Sequence, residues 1–306
     1  MYNIAICIPT YKRPPMLKQL VKSIDKSNFD KSLISNVNII IVDNDIDKTA
    51  EQTVIELKKE FHDFIKIEYH NYPIKGLSYV RNELLKKSLA LCSDLIVFID
   101  DDEYASAEWL NKLIEALIAN NGDMAMGPVI SVFDSNVSKY ISYWFERPVF
   151  KSNTKIQYVA TNNLIIKADS LLKNDVWFDN RFNYTGSEDS YFGIQMIKKG
   201  ASIYWAANAI VYETIPEKRA NIKWLIKRVY RGASTYAYVL KIEKNYYGLL
   251  KKTLINVAYF LSGGMALVLV LFPIRWKYWG ILKISESIGG FAGLFDLQFH
   301  EYAKEK

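Results

Sequence analysis

The sequence predicts an α/β protein whose mostly parallel, mixed sheet is covered by helices on both faces. Short apolar runs alternate with segments of helical periodicity over the first 119 residues. The apolar runs are continuous, as is typical of parallel strands that are buried on both faces. Half of the 306 residues are hydrophobic, which is enough to form the core of one large domain with an appendage, or of two domains.

The first half of the chain contains strands and helices in strict alternation. The predicted strands are Ile4–Ile8, Val37–Val42, Ile65–Tyr69 and Leu95–Ile99. The helices that follow them are Met16–Ile24, Thr49–Phe61, Leu77–Ala90 and Trp109–Ala119. After Gly122 the pattern is mixed, with strands at Ala125–Phe133, Gln157–Ile166 and Ser202–Val211 and a helix at Asp189–Lys199. This second half is predicted to complete the sheet and to form the opposite wall of a ligand cleft.

Composition and cysteine content exclude several classes of protein. Charged residues make up 24% of a chain that is half hydrophobic, so wholesale disorder is excluded. Cys7 and Cys92 lie in apolar runs without a CxxC pair or a His/Cys cluster, so neither a disulfide framework nor a zinc site is expected. Met1–Thr10 lacks the basic start and the small-residue cleavage site of a signal peptide, and we therefore expect this part of the chain in the reducing cytosol.

Positive charge is concentrated in one segment. The formal net charge is +6, and residues 217–252 contain ten lysine and arginine residues against two glutamates. A basic block in front of an apolar stretch is typical of a surface that faces anionic lipid or a phosphorylated ligand. The rest of the chain is slightly acidic, so we expect no nucleic acid partner.

The apolar stretch Leu254–Phe272 contains nineteen residues without a formal charge. As a helix it would be roughly 28 Å long, close to the thickness of a bilayer core. Because basic residues flank both ends, a hairpin or interfacial element hinged near Gly263-Gly264 fits better than a single crossing. Ile281–Phe299 is amphipathic and is predicted to lie along a membrane surface. The alternative is a buried helix of the globular core.

Acidic clusters follow the second and the fourth predicted strand, at Asp43–Asp45 and Asp100–Glu103. The carboxyl ends of parallel strands meet at one edge of a sheet, and ligands bind beyond that edge. Carboxylates without histidines suit Mg²⁺ or Mn²⁺, which often bridges carboxylates and substrate phosphates. Asp100 and Asp102 are therefore candidate ligands of such a metal. The alternative is that Asp102 and its neighbours cap a helix that starts near Ser106.

Five short motifs occur in order along the chain: Pro9-Thr10-Tyr11-Lys12-Arg13, Val42-Asp43-Asn44, Gly76-Leu77-Ser78 with Arg81-Asn82, Ile99-Asp100-Asp101-Asp102 and Gly186-Ser187-Glu188-Asp189. In these motifs and their order the chain resembles the family 2 glycosyltransferases over about residues 4–200. A further segment comprises Tyr212–Arg219, Lys227-Arg228 and Arg231-Gly232. It is similar to the branch of that family with succinoglycan-type glucosyltransferases of bacterial polysaccharide assembly.

The resemblance implies a GT-A fold, a Rossmann-like arrangement, and a division into regions. Residues 1–216 are expected to form the catalytic domain, with a nucleotide-sugar-binding half at 1–119 and an acceptor-binding half at 120–216. Residues 217–306 are expected to form a basic and apolar helical region that associates with a membrane. The implied location is the cytoplasmic face of the bacterial inner membrane, as a peripheral or monotopic protein.

The resemblance also implies a donor site. Pro9, Thr10, Arg13 and Asp43 would hold the base and ribose of a nucleotide sugar, and Arg81 would line the same pocket. UDP is the first candidate for the nucleotide.

The implied metal site is a DxD motif with Asp100 and Asp102 as ligands of Mn²⁺ or Mg²⁺ and Asp101 within the donor site. Many family members have a histidine near the position of Glu213 as an additional ligand. Glu213 is therefore the candidate third ligand.

Sugar transfer from a nucleoside diphosphate needs a base that takes a proton from the acceptor hydroxyl. By the resemblance, the base is Asp189, and Glu188 orients it or the acceptor. Direct displacement with one base inverts the anomeric carbon. Asp189 precedes a helix with apolar periodicity, so its carboxylate can project from a helix start into the cleft. The alternative is that Ser187, Glu188 and Asp189 only cap that helix.

Arg228 and Arg231 are candidates to close over the diphosphate, because guanidinium groups match phosphate geometry. The alternative for both is the cytosolic face of a membrane-binding helix that also carries Trp224, Tyr230 and Tyr236.

The predicted activity is that of an inverting, metal-dependent transferase with a nucleotide-sugar donor and a lipid-linked saccharide or polysaccharide acceptor. A nucleotidyltransferase or a dinucleotide dehydrogenase is disfavoured because Pro9–Pro15 contains no glycine for a phosphate-binding loop. The non-enzymatic alternative is a membrane-bound scaffold that has the fold without turnover.

Overall fold

The computed structural model describes residues 1–61, 64–268 and 273–297. Its strands are β1 (Tyr2–Thr10), β2 (Ile34–Asp43), β3 (Ile65–Asn71), β4 (Leu95–Phe98), β5 (Glu103–Ala105), β6 (Met124–Met126), β7 (Val129–Phe133), β8 (Leu164–Lys167), β9 (Ile203–Trp205) and β10 (Val211–Ile215). Its helices are α1 (Pro14–Asp25), α2 (Glu51–Glu60), α3 (Leu77–Ala90), α4 (Trp109–Ala119), α5 (Lys139–Ser142), α6 (Ala168–Asn174), α7 (Glu188–Lys198), α8 (Ile222–Ile242), α9 (Tyr246–Val268) and α10 (Ile274–Leu294).

The main sheet has seven strands in the order β3-β2-β1-β4-β8-β6-β9. β1, β2, β3 and β4 pair in parallel, whereas β8 is antiparallel to both of its neighbours. A second sheet has the order β5-β10-β7, in which β10 is antiparallel to β5 and parallel to β7. The predicted α/β architecture with a mostly parallel, mixed sheet is therefore confirmed.

The central strand β1 divides the core into two layers. Ile4, Ile6 and Ile8 pack on one face of the sheet with the apolar sides of α1, α2 and α4. Ala5 and Cys7 point to the other face and pack with α3, α6 and α7. Because both faces of the sheet are covered, β1 is a continuous apolar run, as predicted for a buried parallel strand.

The second half contains three predicted strands that the structure corrects. Ala125–Phe133 is two strands, β6 and β7, which belong to different sheets. The break lies at Gly127-Pro128, where a Cβ on Gly127 would overlap Ala209 and Asn163. Ser202–Val211 is divided in the same way between β9 and the start of β10.

Gln157–Ile166 contains a strand only at its end, where β8 begins, because Thr161–Asn163 forms a turn of tight helix. The helix-capping alternative for Asp102 is also wrong. The residues after it form β5, and α4 begins only after Glu108.

The last three described helices form one packed unit in which α10 contacts both α8 and α9. A Cβ on Gly289 or Gly293 would meet the backbone of α8. Ser285 donates a hydrogen bond to the carbonyl oxygen of Ile226 at 2.8 Å. Small side chains on α10 therefore allow the backbones of α10 and α8 to approach closely.

The predicted hinge near Gly263-Gly264 is wrong, since α9 continues through both glycines to Val268. Gly263 is needed instead for the close approach of α9 to Gly280 of α10. Residues 269–272 of the predicted apolar stretch and 298–299 of the predicted amphipathic segment lie outside the described residues. In the part of the chain that the structure describes, every helix is too short or too polar to cross a membrane.

Candidate active site

A cavity of about 580 Å³ lies at the carboxyl ends of β1 and β4, between them and the starts of α3 and α7. β10 and α8 supply the remaining wall. The predicted site residues that line it are Pro9, Thr10, Arg13, Arg81, Asp100, Asp101, Asp102, Glu188, Asp189, Glu213, Arg228 and Arg231. The fold thus brings residues from six separate stretches of sequence to one place.

Asp101 fixes the loop that follows β1. Its carboxylate accepts hydrogen bonds from the Thr10 hydroxyl at 2.8 Å and from Nη1 of Arg13 at 2.9 Å. Burial raises the pKa of Asp101 to about 6, although Arg13 and Thr10 oppose the shift. Asp101 is therefore engaged by the protein itself, and it links the first and the fourth motif.

Arg81 connects α3 to α7 and to the end of β4. Its guanidinium pairs with Glu188 and lies 3.2 Å from Oδ1 of Asp100. The side chains of Arg81 and Glu188 are only 7% and 3% exposed. Removal of either one would therefore leave the other as an uncompensated buried charge. In this arrangement Glu188 positions α7 and its side chain does not project freely into the cavity.

Two polar side chains of the motif around Arg81 form hydrogen bonds with the backbone of Phe178 and Asp179. Asn82 donates to the carbonyl oxygen of Phe178 at 2.8 Å and accepts from the Phe178 amide at 2.9 Å. Ser78 donates to the carbonyl oxygen of Asp179 at 2.7 Å. These polar side chains attach the start of α3 to the segment that leads into α7, and so they fix the place of Arg81.

Asp189 lies at the second position of α7 and is half-buried at the cavity wall. The preceding Gly186 and Ser187 have φ values of 74° and 68°, a left-handed turn that directs the helix start into the cavity. Among the described residues Ser187 makes no side-chain capping bond, whereas Asp189 accepts one from the Ser190 amide at 2.6 Å. The capping alternative therefore fits Ser187 poorly.

Asp102 and Glu213 are paired with arginines. Oδ2 of Asp102 accepts from Arg13 at 2.8 Å and from Arg219 at 3.0 Å. Glu213 pairs with Arg147, and Arg219 lies 3.9 Å from it. Burial raises the pKa of Glu213, and the charges of Arg147 and of Asp102 act in opposite directions on it.

Glu103 is a buried carboxylate that the sequence analysis did not select. It faces Glu213 across the antiparallel pair of β5 and β10, and its Oε2 accepts a bond from the Asp100 amide at 2.9 Å. Burial raises its pKa well above the usual range. Glu103 thus closes the turn that presents Asp100, Asp101 and Asp102.

The prediction that Asp43 contacts the nucleotide does not agree with the structure. Asp43 is fully buried, and its carboxylate accepts bonds from the amides of Asp45 and Ala50 and from the Tyr69 hydroxyl. Through these hydrogen bonds the Asp43 carboxylate fixes the conformation of the loop after β2. Its neighbour Asn44 lines the cavity in its place.

Arg228 and Arg231 line the cavity from α8. The Arg228 guanidinium lies 5.4 Å from the ring centroid of Phe145 and 5.2 Å from that of Trp224, and these two rings are stacked. Burial, with the nearby charges of Arg147 and Arg231, lowers the pKa of Arg228 to about 10, so it is charged at neutral pH. The cavity position fits the prediction of an anion contact better than the alternative of a lipid-facing arginine.

The predicted set of Asp100, Asp102 and Glu213 does not assemble into a three-ligand metal site. The described ranges contain no group of three or more His, Cys, Asp or Glu side chains placed to hold a metal ion. Glu213 instead pairs with Arg147, and Arg219 lies 3.9 Å from it.

A smaller metal site is compatible with the structure. Mg²⁺ or Mn²⁺ bound together with substrate phosphates needs only one or two protein carboxylates. Burial raises the pKa of Asp100, with repulsion from Asp102 and Asp189 adding to it and Arg81 opposing it. A cation would relieve that repulsion, so Asp100 and Asp102 fit as a pair of oxygen ligands.

Two arginines that pair with the acidic site residues, Arg147 and Arg219, were not predicted from the sequence. Arg219 is the last residue of the Tyr212–Arg219 segment, whose similarity to one branch of the family implies no role for it. Arg147 follows a short helical turn and has no motif around it. Only the fold places it next to β10.

Comparisons with known proteins agree with the fold. The structure of TarS from S. aureus in complex with UDP superposes with a TM-score of 0.56 at 13% identity, covering 95% of this chain and 90% of that one. The structure of TarS in complex with UDP-GlcNAc also superposes with a TM-score of 0.56 at 13% identity. The match covers 98% of this chain and 93% of that one. The fold is therefore GT-A-like.

The sequence comparisons identify the family. The model described as glycosyl transferase family 2 matches residues 5–173. The succinoglycan biosynthesis protein ExoM of Rhizobium meliloti is 28% identical over 78% of this chain and 74% of its own length. The poly(ribitol-phosphate) beta-N-acetylglucosaminyltransferase TarS of Staphylococcus aureus is 22% identical over 63% of this chain, which spans only 32% of TarS. The chain belongs to glycosyl transferase family 2 and is a glycosyltransferase.

Proposed function

We propose that the protein is an inverting, metal-dependent glycosyltransferase that moves a sugar from a UDP-sugar to a hydroxyl group of a lipid-linked saccharide or polysaccharide. The observation that carries the proposal is the position of Asp189. Its carboxylate borders the same cavity as Asp100, Asp102 and the arginine cluster. A base and an anion-binding region therefore share one reaction space.

The donor lies, in this proposal, against the loop after β1 and the carboxyl end of β4. Pro9 and Thr10 form the wall for the nucleoside, together with Asn44. Arg13 and Arg81 lie beside them. The UDP and UDP-GlcNAc complexes of TarS, whose fold is similar, support UDP as the nucleotide.

The chemical step is one displacement. The acceptor oxygen attacks the anomeric carbon while the bond from that carbon to the diphosphate oxygen breaks. Asp189 takes the proton of the acceptor hydroxyl, and the electron pair of the broken bond leaves with the nucleoside diphosphate. Attack from the face opposite the leaving group inverts the anomeric carbon.

Asp100 and Asp102 would hold the Mn²⁺ or Mg²⁺ ion. When bound, such an ion neutralises negative charge on the diphosphate. Arg228 and Arg231 act on the same charge from α8, because a fixed guanidinium in a partly desolvated cavity stabilises a leaving phosphate. Glu188 positions α7 through Arg81.

The acceptor enters, in this proposal, from the side formed by residues 120–216, and residues 1–119 hold the donor. Residues 217–306 place the enzyme on the cytoplasmic face of the bacterial inner membrane as a peripheral or monotopic protein. The basic segment 217–252 and the packed helices α8, α9 and α10 support this location. ExoM, a relative named for succinoglycan biosynthesis, supports a saccharide acceptor of bacterial polysaccharide assembly.

The test is the Asp189→Asn variant. Because the amide cannot accept the proton, we expect kcat to fall about 10²- to 10⁴-fold while affinity for UDP is retained. The measurement is sugar transfer under saturating donor, with UDP binding followed by calorimetry.

Asp169→Asn is the matched control. Asp169 also occupies the second position of a helix, α6, but it is exposed and lies outside the cavity. Full transfer by Asp189→Asn, or an equal loss in Asp169→Asn, would refute Asp189 as the base.

A further inference from the structure

Helix α9 has two apolar faces, and among the residues that the structure describes only one face is covered. Asn256, Gly263 and Ala266 are buried on the face that packs against α10. On the opposite side lies a stripe of side chains, each at least 44% exposed: Tyr247, Leu250, Leu254, Val257, Leu261, Met265 and Val268. We call these residues the outer stripe.

The outer stripe follows the helical period along the whole of α9. Its members are spaced three or four residues apart, which places them on one side of the helix. Over 23 residues the helix is about 34 Å long. The stripe is thus a continuous apolar surface, and large exposed surfaces of this kind mark interaction sites.

The charged residues within α9 and at the start of α10 are all basic. From Lys244 to Lys283 the sequence contains no aspartate or glutamate. Lys244 and Lys251 lie near the first half of α9, and Arg275 and Lys277 lie at the start of α10, just beyond its end. Tyr246, at one end, and Trp276, beyond the other, are exposed aromatic residues of the kind enriched at membrane interfaces.

The basic residues at both ends of the outer stripe favour an anionic lipid surface over a second copy of the chain as its binding partner. A second copy of the chain would bring the same basic residues against these, which costs electrostatic free energy. An anionic lipid surface complements both the charge at the two ends and the apolar stripe between them. With basic groups at both ends, the helix fits a position parallel to the membrane plane.

We propose that the outer stripe of α9 binds anionic lipid, with α9 lying in the plane of the membrane interface. This inference deepens the proposed function, on which its biological meaning rests, by naming the surface that holds the enzyme on the membrane. α10 then lies above α9 and connects it to α8, whose Arg228 and Arg231 line the cavity.

The experiment is co-flotation of the full chain with vesicles of equal parts phosphatidylglycerol and phosphatidylcholine, compared with vesicles of phosphatidylcholine alone. We expect the chain to float with the anionic vesicles and not with the neutral ones. In the double variant Leu254→Glu/Leu261→Glu we expect at least a tenfold lower bound fraction at equal lipid. Met265→Glu is a second, milder variant in the same stripe.

The matched control is Ile55→Glu/Leu172→Glu, which places the same charges on exposed apolar positions of α2 and α6. This control should float like the wild type. Calorimetric binding of UDP by the double variant in vesicle-free buffer reports separately on the active site, and thermal melting reports on folding. If the wild type does not bind UDP, the proposed function is contradicted. The flotation result would still test lipid binding by the outer stripe.

Three results would overturn the inference. The first is wild-type flotation that is equal with neutral and anionic vesicles, and the second is unchanged flotation of a folded Leu254→Glu/Leu261→Glu variant. The third is a wild-type dimer in sedimentation that the same substitutions convert to a monomer, which would assign the stripe to a second copy of the chain.

Discussion

Arg81 joins two parts of the site, because it pairs with Glu188 at the start of α7 and contacts Asp100 after β4. Arg81→Met would leave the buried Glu188 carboxylate without its partner. Breaking a buried pair in this way costs about 3–5 kcal/mol of unfolding free energy. Chemical denaturation followed by fluorescence measures the loss.

The double variant Arg81→Met/Glu188→Gln should recover most of that stability, because it removes the uncompensated charge. Arg181→Met is the control, since Arg181 forms a more exposed pair with Asp179 and should lose at most about 1 kcal/mol. Equal losses at Arg81 and Arg181 would show that the buried pair has no special weight.

The two cysteines are predicted to differ in their reactivity with alkylating reagents. Burial raises the pKa of Cys7 to about 12, against the opposing effect of its contact with Ser88. The thiol is therefore protonated and unreactive up to pH 9, whereas Cys92 is exposed. In a Cys92→Ser variant we expect no alkylation by iodoacetamide in the native state and one modified thiol after denaturation. Native alkylation at the rate of a free thiol would contradict this.

Single residues were predictable from the sequence where a motif fixed them. Thr10, Arg13, Asp100 and Asp102 line the cavity. Each belongs to a motif of the family resemblance that lies at or just after the end of β1 or β4. Asp43 also follows such a strand, yet its carboxylate turns back to the amides of its own loop. Such a local choice of hydrogen bonds leaves no trace in spacing or composition.

At the scale of elements, the crossing of α10 over α8 depends on glycine. A Cβ on Gly289 would overlap the backbone of Tyr230. Gly289→Ala should therefore lower the unfolding free energy by about 1–3 kcal/mol through overpacking. The midpoint of thermal unfolding reports the change.

Gly264→Ala provides the comparison, because a Cβ at Gly264 in α9 meets nothing within 4 Å. Alanine has the higher helix propensity, so this variant should gain up to about 1 kcal/mol. A Gly289→Ala variant that is as stable as Gly264→Ala would mean that α8 and α10 do not require the close approach.

The strands β1 to β4 were predictable because each is one uninterrupted apolar run. The strands of the second half were not, because β6 and β7 are consecutive apolar segments that enter different sheets. Periodicity indicates a strand but does not indicate which sheet it joins. The break at Gly127-Pro128 has its reason in the fold, where a Cβ on Gly127 would overlap Ala209 and Asn163.

At the scale of the whole molecule, the cavity is close to electrical balance. Its acidic lining residues are Asp100, Asp101, Asp102, Glu188, Asp189 and Glu213. Its basic lining residues are Arg13, Lys75, Arg81, Arg219, Arg228 and Arg231. A donor diphosphate adds negative charge to this balance, and a divalent cation would restore it.

Removal of divalent metal should therefore slow sugar transfer. We expect excess EDTA to reduce sugar transfer at least about 100-fold, in line with a charge-stabilising role in the transition state, and Mn²⁺ to restore it. The transfer rate under chelation is the measurement. An unchanged rate in EDTA would assign the diphosphate charge to the arginines alone.

The central claim is that this cavity binds a nucleoside diphosphate, with Asp100 and Asp102 as ligands of its divalent cation and Arg228 and Arg231 next to its phosphates. The most direct measurement is calorimetric titration of UDP with Mn²⁺ into the wild type and into Asp102→Asn, with Asp134→Asn, an exposed acid after β7, as the control. We predict one binding site in the wild type and the control, and at least tenfold weaker binding in Asp102→Asn. Equal affinities in all three proteins, or no binding in the wild type, would contradict the account.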